Sequence, residues 1–168
     1  MYEYKELSRF LLGQEEPLEK VCDYLDMIEN GVVDPEKPKA SLLLCGPSGT
    51  GKTATAKIVA KYFTGSDKNM YIVSGPTMQS DTAVSTLFGS DAGYVGYKDT
   101  SDFLAFVKQH PNCVLLFDEI EKASPAVFKA LLEIIDEGKT RDKAGNTISF
   151  SNYLVYNQLR LWYKQPYR

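Results

Sequence analysis

The chain has 168 residues, of which 43% are hydrophobic and 24% are charged, so it is long enough to bury the core of one globular domain. Its formal net charge is -3 without a block of five or six like charges, which argues against nucleic-acid and polybasic membrane partners. The mixed, acidic N-terminus does not resemble a signal peptide and no apolar run approaches ~18 residues, so we expect a soluble cytoplasmic protein.

The elements predicted in the first half of the chain alternate between helix and strand. A first helix is indicated by apolar residues at helical spacing, and Gly31 follows as its stop. A strand is predicted at 41–45, a helix from the glycine-rich segment to about Phe63, and a second strand at "MYIVS", 70–74. The apolar residues of the first helix are Leu18, Val21, Cys22, Leu25 and Ile28.

Serine residues mark the predicted helix starts in the second half. Ser80 is a candidate cap for a short helix through Leu87, and Ser101 for a helix over "SDFLAFVKQ". The continuous apolar run "CVLLF", 113–117, is typical of a buried strand. His110 follows the second of these helices, where a surface helix end is a simpler interpretation than catalysis.

The last predicted helix has a complete set of end signals. Ser124 is its N-cap, Pro125 its first residue, and Gly138 lies just past its end. Because strands alternate with helices along the chain, we expect an α/β fold with a parallel sheet flanked by helices.

The three cysteines are widely spaced and do not form a metal-binding pattern. Cys45 ends one apolar run and Cys113 begins another, so we interpret them, with Cys22, as reduced packing residues.

A glycine-rich motif follows the first strand. Gly46 and Gly51 lie five residues apart, and Lys52 and Thr53 follow, which matches the phosphate-binding loop of mononucleotide-binding proteins. Glycines let the main chain approach a triphosphate, Lys52 reaches its outer phosphates, and Thr53 ligates Mg²⁺. The alternative is a glycine-rich turn that binds nothing. The residues expected to contact ATP here are Pro47, Ser48, Gly49, Thr50, Gly51, Lys52, Thr53 and Ala54.

A pair of carboxylates ends the buried strand 114–117. Asp118 and Glu119 are placed at the carboxyl edge of the sheet, where ligands of open α/β folds bind. Asp118 would support Mg²⁺ and Glu119 would polarise the attacking water, so Glu119 and Lys52 are the predicted catalytic residues. The alternative is a solvated acidic turn.

The segment "GYVGY", 93–97, places Tyr94 and Val95 between two glycines, and Tyr97 follows the second glycine. It would make a mobile loop with an aromatic tip that grips a peptide without reading its sequence. The alternative is a structural turn whose tyrosines pack on the core.

These motifs together resemble a known family. The order "LLGQ", "GPSGTGKT", "LFGSDAGYVGY", "VLLFDEIEKASPAVFKALLEIIDEG" and "DKAGNTISFSN" is similar to the second ATPase module of the Clp and ClpB-type AAA+ unfoldases. The similarity runs from about Leu12 to Val155, so we divide the chain into a large α/β subdomain, 1–155, and an atypical tail, 156–168. The combination of "GYVGY" with "DEIEKA" is characteristic of this family.

The resemblance implies further roles. Tyr94 and Val95 would form a pore loop that pulls unfolded or aggregated protein substrates through a hexameric ring, and 139–150 would hold a second pore loop. Gly13 and Gln14, beside Leu12, would border the adenine of ATP. A peptidase partner is left open, because the peptidase-docking loop of the family would lie beyond the resemblance.

The end of the chain departs from the family pattern. From about Tyr156 the sequence is aromatic and basic, and Arg160 stands near the position of a polar sensor residue that is usually Asn. A shifted reading frame, a fusion scar and a divergent terminus each explain this change. The arginine finger, last core strand, second sensor and small subdomain of the family would follow this point, so we expect slow hydrolysis, a sheet incomplete at its C-terminal end, and an exposed edge on strand 42–45.

Two other functions remain open at this stage. A non-hydrolysing nucleotide-binding fragment or pseudoenzyme would associate with full-length subunits, and turnover measured alone and after mixing distinguishes it. A clamp-loader or helicase-like ATPase acting on DNA would need a basic channel rather than "GYVGY".

Overall fold

The computed structural model describes residues 7–9, 13, 15–47, 49–89, 101–142 and 144–160, and for 156–160 it describes the main chain alone. The principal helices are α1 (Glu15–Glu29), α2 (Lys52–Thr64), α3 (Ala83–Phe88), α4 (Asp102–Gln109) and α5 (Pro125–Glu137). The strands are β1 (Ala40–Gly46), β2 (Met70–Ser74), β3 (Val114–Asp118), β4 (Lys139–Arg141), β5 (Thr147–Ser149) and β6 (Leu154–Arg160). Short 3₁₀ turns, Gly75–Thr77 and Ile120–Lys122, follow β2 and β3.

Four of the strands form one parallel sheet in the order β1, β6, β3, β2, and β4 pairs with β5 as an antiparallel hairpin. Helices cover both faces of the sheet at β3. Val114 and Leu116 pack on one face against residues of α1 and α2, whereas Leu115 and Phe117 pack on the other against α3, α4 and α5. The predicted α/β architecture is confirmed. Because β3 is an inner strand with helices on both of its faces, all four of these side chains are fully buried.

The predicted helix ends are confirmed at α4 and α5. The hydroxyl of Ser101 accepts a hydrogen bond from the Leu104 N–H at 3.2 Å, and that of Ser124 accepts one from the Val127 N–H at 3.3 Å. Gly138 ends α5 with a φ of 62°, a conformation that a glycine adopts without strain. Of the five α1 residues predicted to share one face, Ile28 is partly buried and the other four are buried: Leu18, Val21, Cys22 and Leu25.

Two local expectations are wrong. Helix α3 begins at Ala83 with Thr82 as its N-cap, and Ser80 instead lies in the preceding turn, where its carbonyl accepts the Ala83 N–H at 2.9 Å. Cys22 and Cys113 are buried free thiols, but Cys45 is exposed because it lies on the uncovered side of β1.

The sheet is incomplete at β1, as expected. Among the described residues β1 pairs with β6 alone, and Leu43 in its middle is 57% exposed. Strand β6 continues to Arg160 between β1 and β3, so 156–160 extend the sheet although their composition differs from the preceding strands. None of the helices in the described part of the chain is long and apolar enough to cross a membrane.

Candidate nucleotide-binding site

The phosphate loop, residues 46–53, connects the carboxyl end of β1 to the first turn of α2. Gly49 and Gly51 have φ values of 80° and 84°, which lie in the left-handed region that favours glycine. Glycines at these positions let the main chain turn sharply from strand to helix.

Lys52 is held by main-chain carbonyls of its own loop. Its Nζ donates hydrogen bonds to the Gly46 oxygen at 3.0 Å and to the Pro47 oxygen at 2.7 Å, and the Thr50 hydroxyl donates to the same Pro47 oxygen at 3.0 Å. The ammonium thus lies over the loop. Negatively charged phosphate oxygens are better partners for it than neutral carbonyls, so this arrangement fits an anion bound in the loop.

The first turn of α2 is open to an anion. Gly51 is the N-cap and supplies no side-chain hydrogen bond, and the first turn contains no acidic residue. The positive end of the helix dipole therefore meets no carboxylate from this turn. Thr53 and the exposed Ala54 lie in this turn.

The acidic turn, residues 118–122, follows β3 at the same edge of the sheet. Asp118 is the last residue of β3, opposite Ser74 of β2. The carboxylate Oε2 of Glu119 lies 2.6 Å from the Nζ of Lys122. Asp118 and Glu119 therefore lie at the carboxyl end of β3.

The spacing of the strands brings the acidic turn near the phosphate loop. Strand β6 lies between β1 and β3, and the register aligns Leu43 with Phe117 through Asn157. Two strand spacings correspond to about 10 Å between β1 and β3. Thr53 in the first turn of α2 carries a hydroxyl and Asp118 at the end of β3 carries a carboxylate, and oxygen ligands of these two kinds fit Mg²⁺ that also contacts phosphate.

This donor set is small, as is typical of Mg²⁺ held partly by its substrate. Within the described residues there is no group of three or more His, Cys, Asp or Glu side chains that could hold a metal ion alone.

The hairpin β4–β5 occupies the region expected to hold a second pore loop. Its turn is closed by Asp142, which accepts hydrogen bonds from the Asn146 main chain at 2.8 Å and side chain at 3.0 Å. Lys108 of α4 contacts the Asp142 carboxylate at 3.4 Å. The Asn146 side chain, and more weakly Lys108, lower the pKa of Asp142.

Some predicted site residues lie outside the described residues: Leu12, Gln14, Ser48, Tyr94 and Val95. Gly13 is described and precedes α1, where its N–H donates to the Glu15 carboxylate at 3.2 Å.

Two residues that contact Glu119 were not predicted. Lys122 could have been found from its spacing, because it stands three residues after Glu119 in a turn. Gly75 leaves room for the main chain of Glu119, and nothing in the sequence near position 75 indicates this contact between two separate turns.

The chain is similar to proteins of a known family. The AAA domain family (Cdc48 subfamily) matches residues 37–156. Chaperone protein ClpB 1 of Synechococcus elongatus is 38% identical over 151 residues, which are 90% of this chain and 17% of that protein. Chaperone protein ClpB of Corynebacterium diphtheriae is 39% identical over 150 residues, or 89% of this chain and 18% of that protein.

The chain thus spans less than a fifth of the length of these two relatives. The matches confirm the resemblance to the Clp and ClpB-type proteins that the motifs indicated, and the family match includes both the phosphate loop and the acidic turn. This chain belongs to the AAA domain family.

Proposed function

We propose that this chain binds Mg-ATP at the phosphate loop and hydrolyses it with the help of the acidic turn. The observation that carries the proposal is the convergence at one sheet edge of the open N-terminus of α2, Lys52 and the carboxylates of Asp118 and Glu119. Membership of the AAA domain family supports it.

Each residue has a role that follows from its chemistry. Lys52 exchanges the carbonyls of Gly46 and Pro47 for oxygens of the outer phosphates, and the main-chain N–H groups of residues 48–54 donate to the phosphates. Thr53 and Asp118 hold Mg²⁺, which neutralises charge on the phosphates when it is bound. Gly13 and Gln14 border the adenine.

Glu119 orients the attacking water and accepts its proton. The water oxygen forms a bond to the γ-phosphorus, the bond from that phosphorus to the β–γ bridging oxygen breaks, and ADP leaves with the electron pair of that bond. Efficient hydrolysis needs a positive charge from outside these residues, so we expect slow turnover by the chain alone.

The similarity to ClpB chaperones supports a larger role for the protein that contains this domain. In that proposal the domain is part of a cytoplasmic hexameric ring that threads unfolded or aggregated proteins through its pore, with Tyr94 and Val95 touching the substrate. Replacing Tyr94 with Ala in the complete protein should abolish threading while leaving ATP affinity unchanged, and unchanged threading would contradict this role.

One observation favours a second candidate, a nucleotide-binding domain that does not hydrolyse ATP by itself. The register aligns position 160 with Gly46 at the start of the phosphate loop, and this position carries Arg where the resemblance implies a polar sensor. Turnover measured alone and after mixing with intact ClpB subunits separates the two candidates. Turnover that appears only in the mixture would favour the second.

Magnesium dependence tests the proposed site most simply. Asp118→Asn should raise the Mg²⁺ concentration needed for half-maximal ATP binding by about tenfold, because a charged ligand becomes neutral. Asp136→Asn, an exposed change on α5, is the matched control and should have no effect. Equal Mg²⁺ requirements in the two variants would contradict the assignment of Asp118.

A further inference from the structure

Glu119 has an unusual main-chain conformation. Its φ and ψ are 50° and 43°, in the left-handed region, and among the described residues only Asn112 shares a positive φ without being glycine. Left-handed conformations cost a residue with a Cβ free energy and persist where the surroundings hold them in place. The contacts around Glu119 therefore have to maintain this conformation.

Gly75 supplies one of these contacts. It follows β2, and a Cβ added to it would overlap the carbonyl oxygen of Glu119 and approach its carbonyl carbon to 2.8 Å. The bare Cα of Gly75 therefore lets the two 3₁₀ turns pack main chain against main chain. This packing supports the backbone of Glu119 from one side.

Lys122 supplies the second contact and acts on the carboxylate. Its N–H donates to the Glu119 carbonyl at 3.0 Å, which closes the turn, and its Nζ lies 2.6 Å from Oε2 of the same residue. The Lys122 and Glu119 side chains are 35% and 29% exposed, so water reaches the pair only in part. The carboxylate is thus tied to a cation that belongs to its own turn.

We propose that Lys122 is a positioning residue for Glu119, an inference that rests on the proposed role of Glu119 in hydrolysis. By holding Oε2, Lys122 restricts rotation of the carboxylate and fixes the direction in which Oε1 points. A general base acts efficiently only when it is held within hydrogen-bond reach of the water it activates. Lys122 touches neither ATP nor the water in this proposal, and it acts through Glu119.

The first test compares steady-state kinetics of the full chain and three variants. Lys122→Met keeps the length of the side chain but removes its charge, and it should lower kcat about tenfold with the KM for ATP unchanged. Lys122→Arg should restore most of kcat because it retains a cationic donor. Lys129→Met removes an exposed lysine from α5 and should behave like the unchanged chain.

The second test needs no turnover. A double-mutant cycle of Lys122→Met and Glu119→Gln, measured as the free energy of unfolding in urea, should give a favourable coupling between the two side chains. A cycle without coupling would overturn the inference. So would an unchanged or raised kcat in Lys122→Met, since a raised value would mean that the pair restrains Glu119 from acting.

The two tests also separate this inference from the proposed function. If Glu119→Gln leaves turnover unchanged while the coupling persists, the proposed role of Glu119 is wrong although the ion pair exists. If Glu119→Gln abolishes turnover but Lys122→Met does not alter kcat, the proposed function stands and Lys122 has no positioning role.

Discussion

The phosphate loop and the acidic turn lie at the same edge of the sheet, but different contacts hold them. In the phosphate loop, Lys52 bonds to carbonyls of Gly46 and Pro47, which are its neighbours in sequence. In the acidic turn, Glu119 contacts Lys122, and it also contacts Gly75, which is distant from it in sequence. The loop is a local structure, whereas the turn depends on tertiary packing.

We expect this difference to separate the proposed ATP binding from the proposed catalysis. A local loop keeps its shape as long as β1 and α2 form, so ATP binding should survive changes elsewhere in the domain. The acidic turn should be sensitive to small displacements of β2 or β3, because misplacing a catalytic group by about 1 Å costs a large part of the rate.

The largest effect is expected from Glu119→Gln. The variant lacks the carboxylate that accepts the proton of water, so turnover should fall at least about 100-fold while the affinity for Mg-ATP stays within about twofold. Single-turnover hydrolysis and equilibrium titration measure the two quantities. Glu121→Gln, which alters an exposed carboxylate in the same turn, serves as the control. An equally large loss of affinity for Mg-ATP would mean that the acidic turn contributes to binding as well as to hydrolysis.

A smaller effect is expected from Gly75→Ala. The added methyl group overlaps the carbonyl of Glu119, so the turn should shift and turnover should fall about tenfold with little change in ATP affinity. Overpacking should also lower the free energy of unfolding by about 1–3 kcal/mol.

Gly65→Ala is the control that separates stability from catalysis. A Cβ at Gly65 meets nothing within 4 Å, but the φ of 78° makes the substitution strained. Gly65→Ala should therefore destabilise the chain in urea without lowering turnover. Equal turnover in the two variants would show that packing at Gly75 does not position Glu119.

The smallest expected effect is on stability at alkaline pH, and it comes from the thiol of Cys113, which precedes β3. Burial raises the pKa of this thiol from 9.0 to about 12. Between these values the unfolded chain has lost a proton that the folded chain retains, so the free energy of unfolding should fall as pH rises from about 9 to 12. Burial also raises the pKa of Tyr153 to about 12, and this adds to the decrease above pH 10.

Urea unfolding at pH 8 and pH 11 tests this dependence. Cys113→Ala should lose stability at both pH values because it leaves a small cavity, but its decrease with pH should be smaller than that of the unchanged chain. Cys45→Ala, an exposed change, should keep the full decrease. An identical decrease in Cys113→Ala would contradict the assignment to this buried thiol.

Local patterns predicted the fold well. The buried run 113–117 and the helix from Ser124 to Gly138 are found as expected, because burial and capping act over a few residues. The composition of the segment 156–160 does not indicate a strand. The segment forms the second half of β6 because strand pairing uses main-chain groups, and β1 pairs with it along its whole length.

The site was predictable in its residue types and less so in its contacts. The spacing of Gly46, Gly51 and Lys52 predicted the loop, and the end of β3 predicted the carboxylates. Gly75 approaches Glu119 because β2 and β3 pair side by side. No pattern of residues close together in the sequence predicts this contact or the left-handed conformation of Glu119.

The most direct test of the account is a titration of the full chain with a fluorescent ATP analogue in the presence of Mg²⁺. We expect saturable binding that weakens about 10- to 100-fold in Lys52→Ala, because a charge-assisted contact to phosphate is lost. Lys57→Ala, an exposed lysine on the same helix, should bind like the unchanged chain. Binding that is absent from the unchanged chain, or that is equal in Lys52→Ala, would contradict the assignment of the phosphate loop as an ATP site.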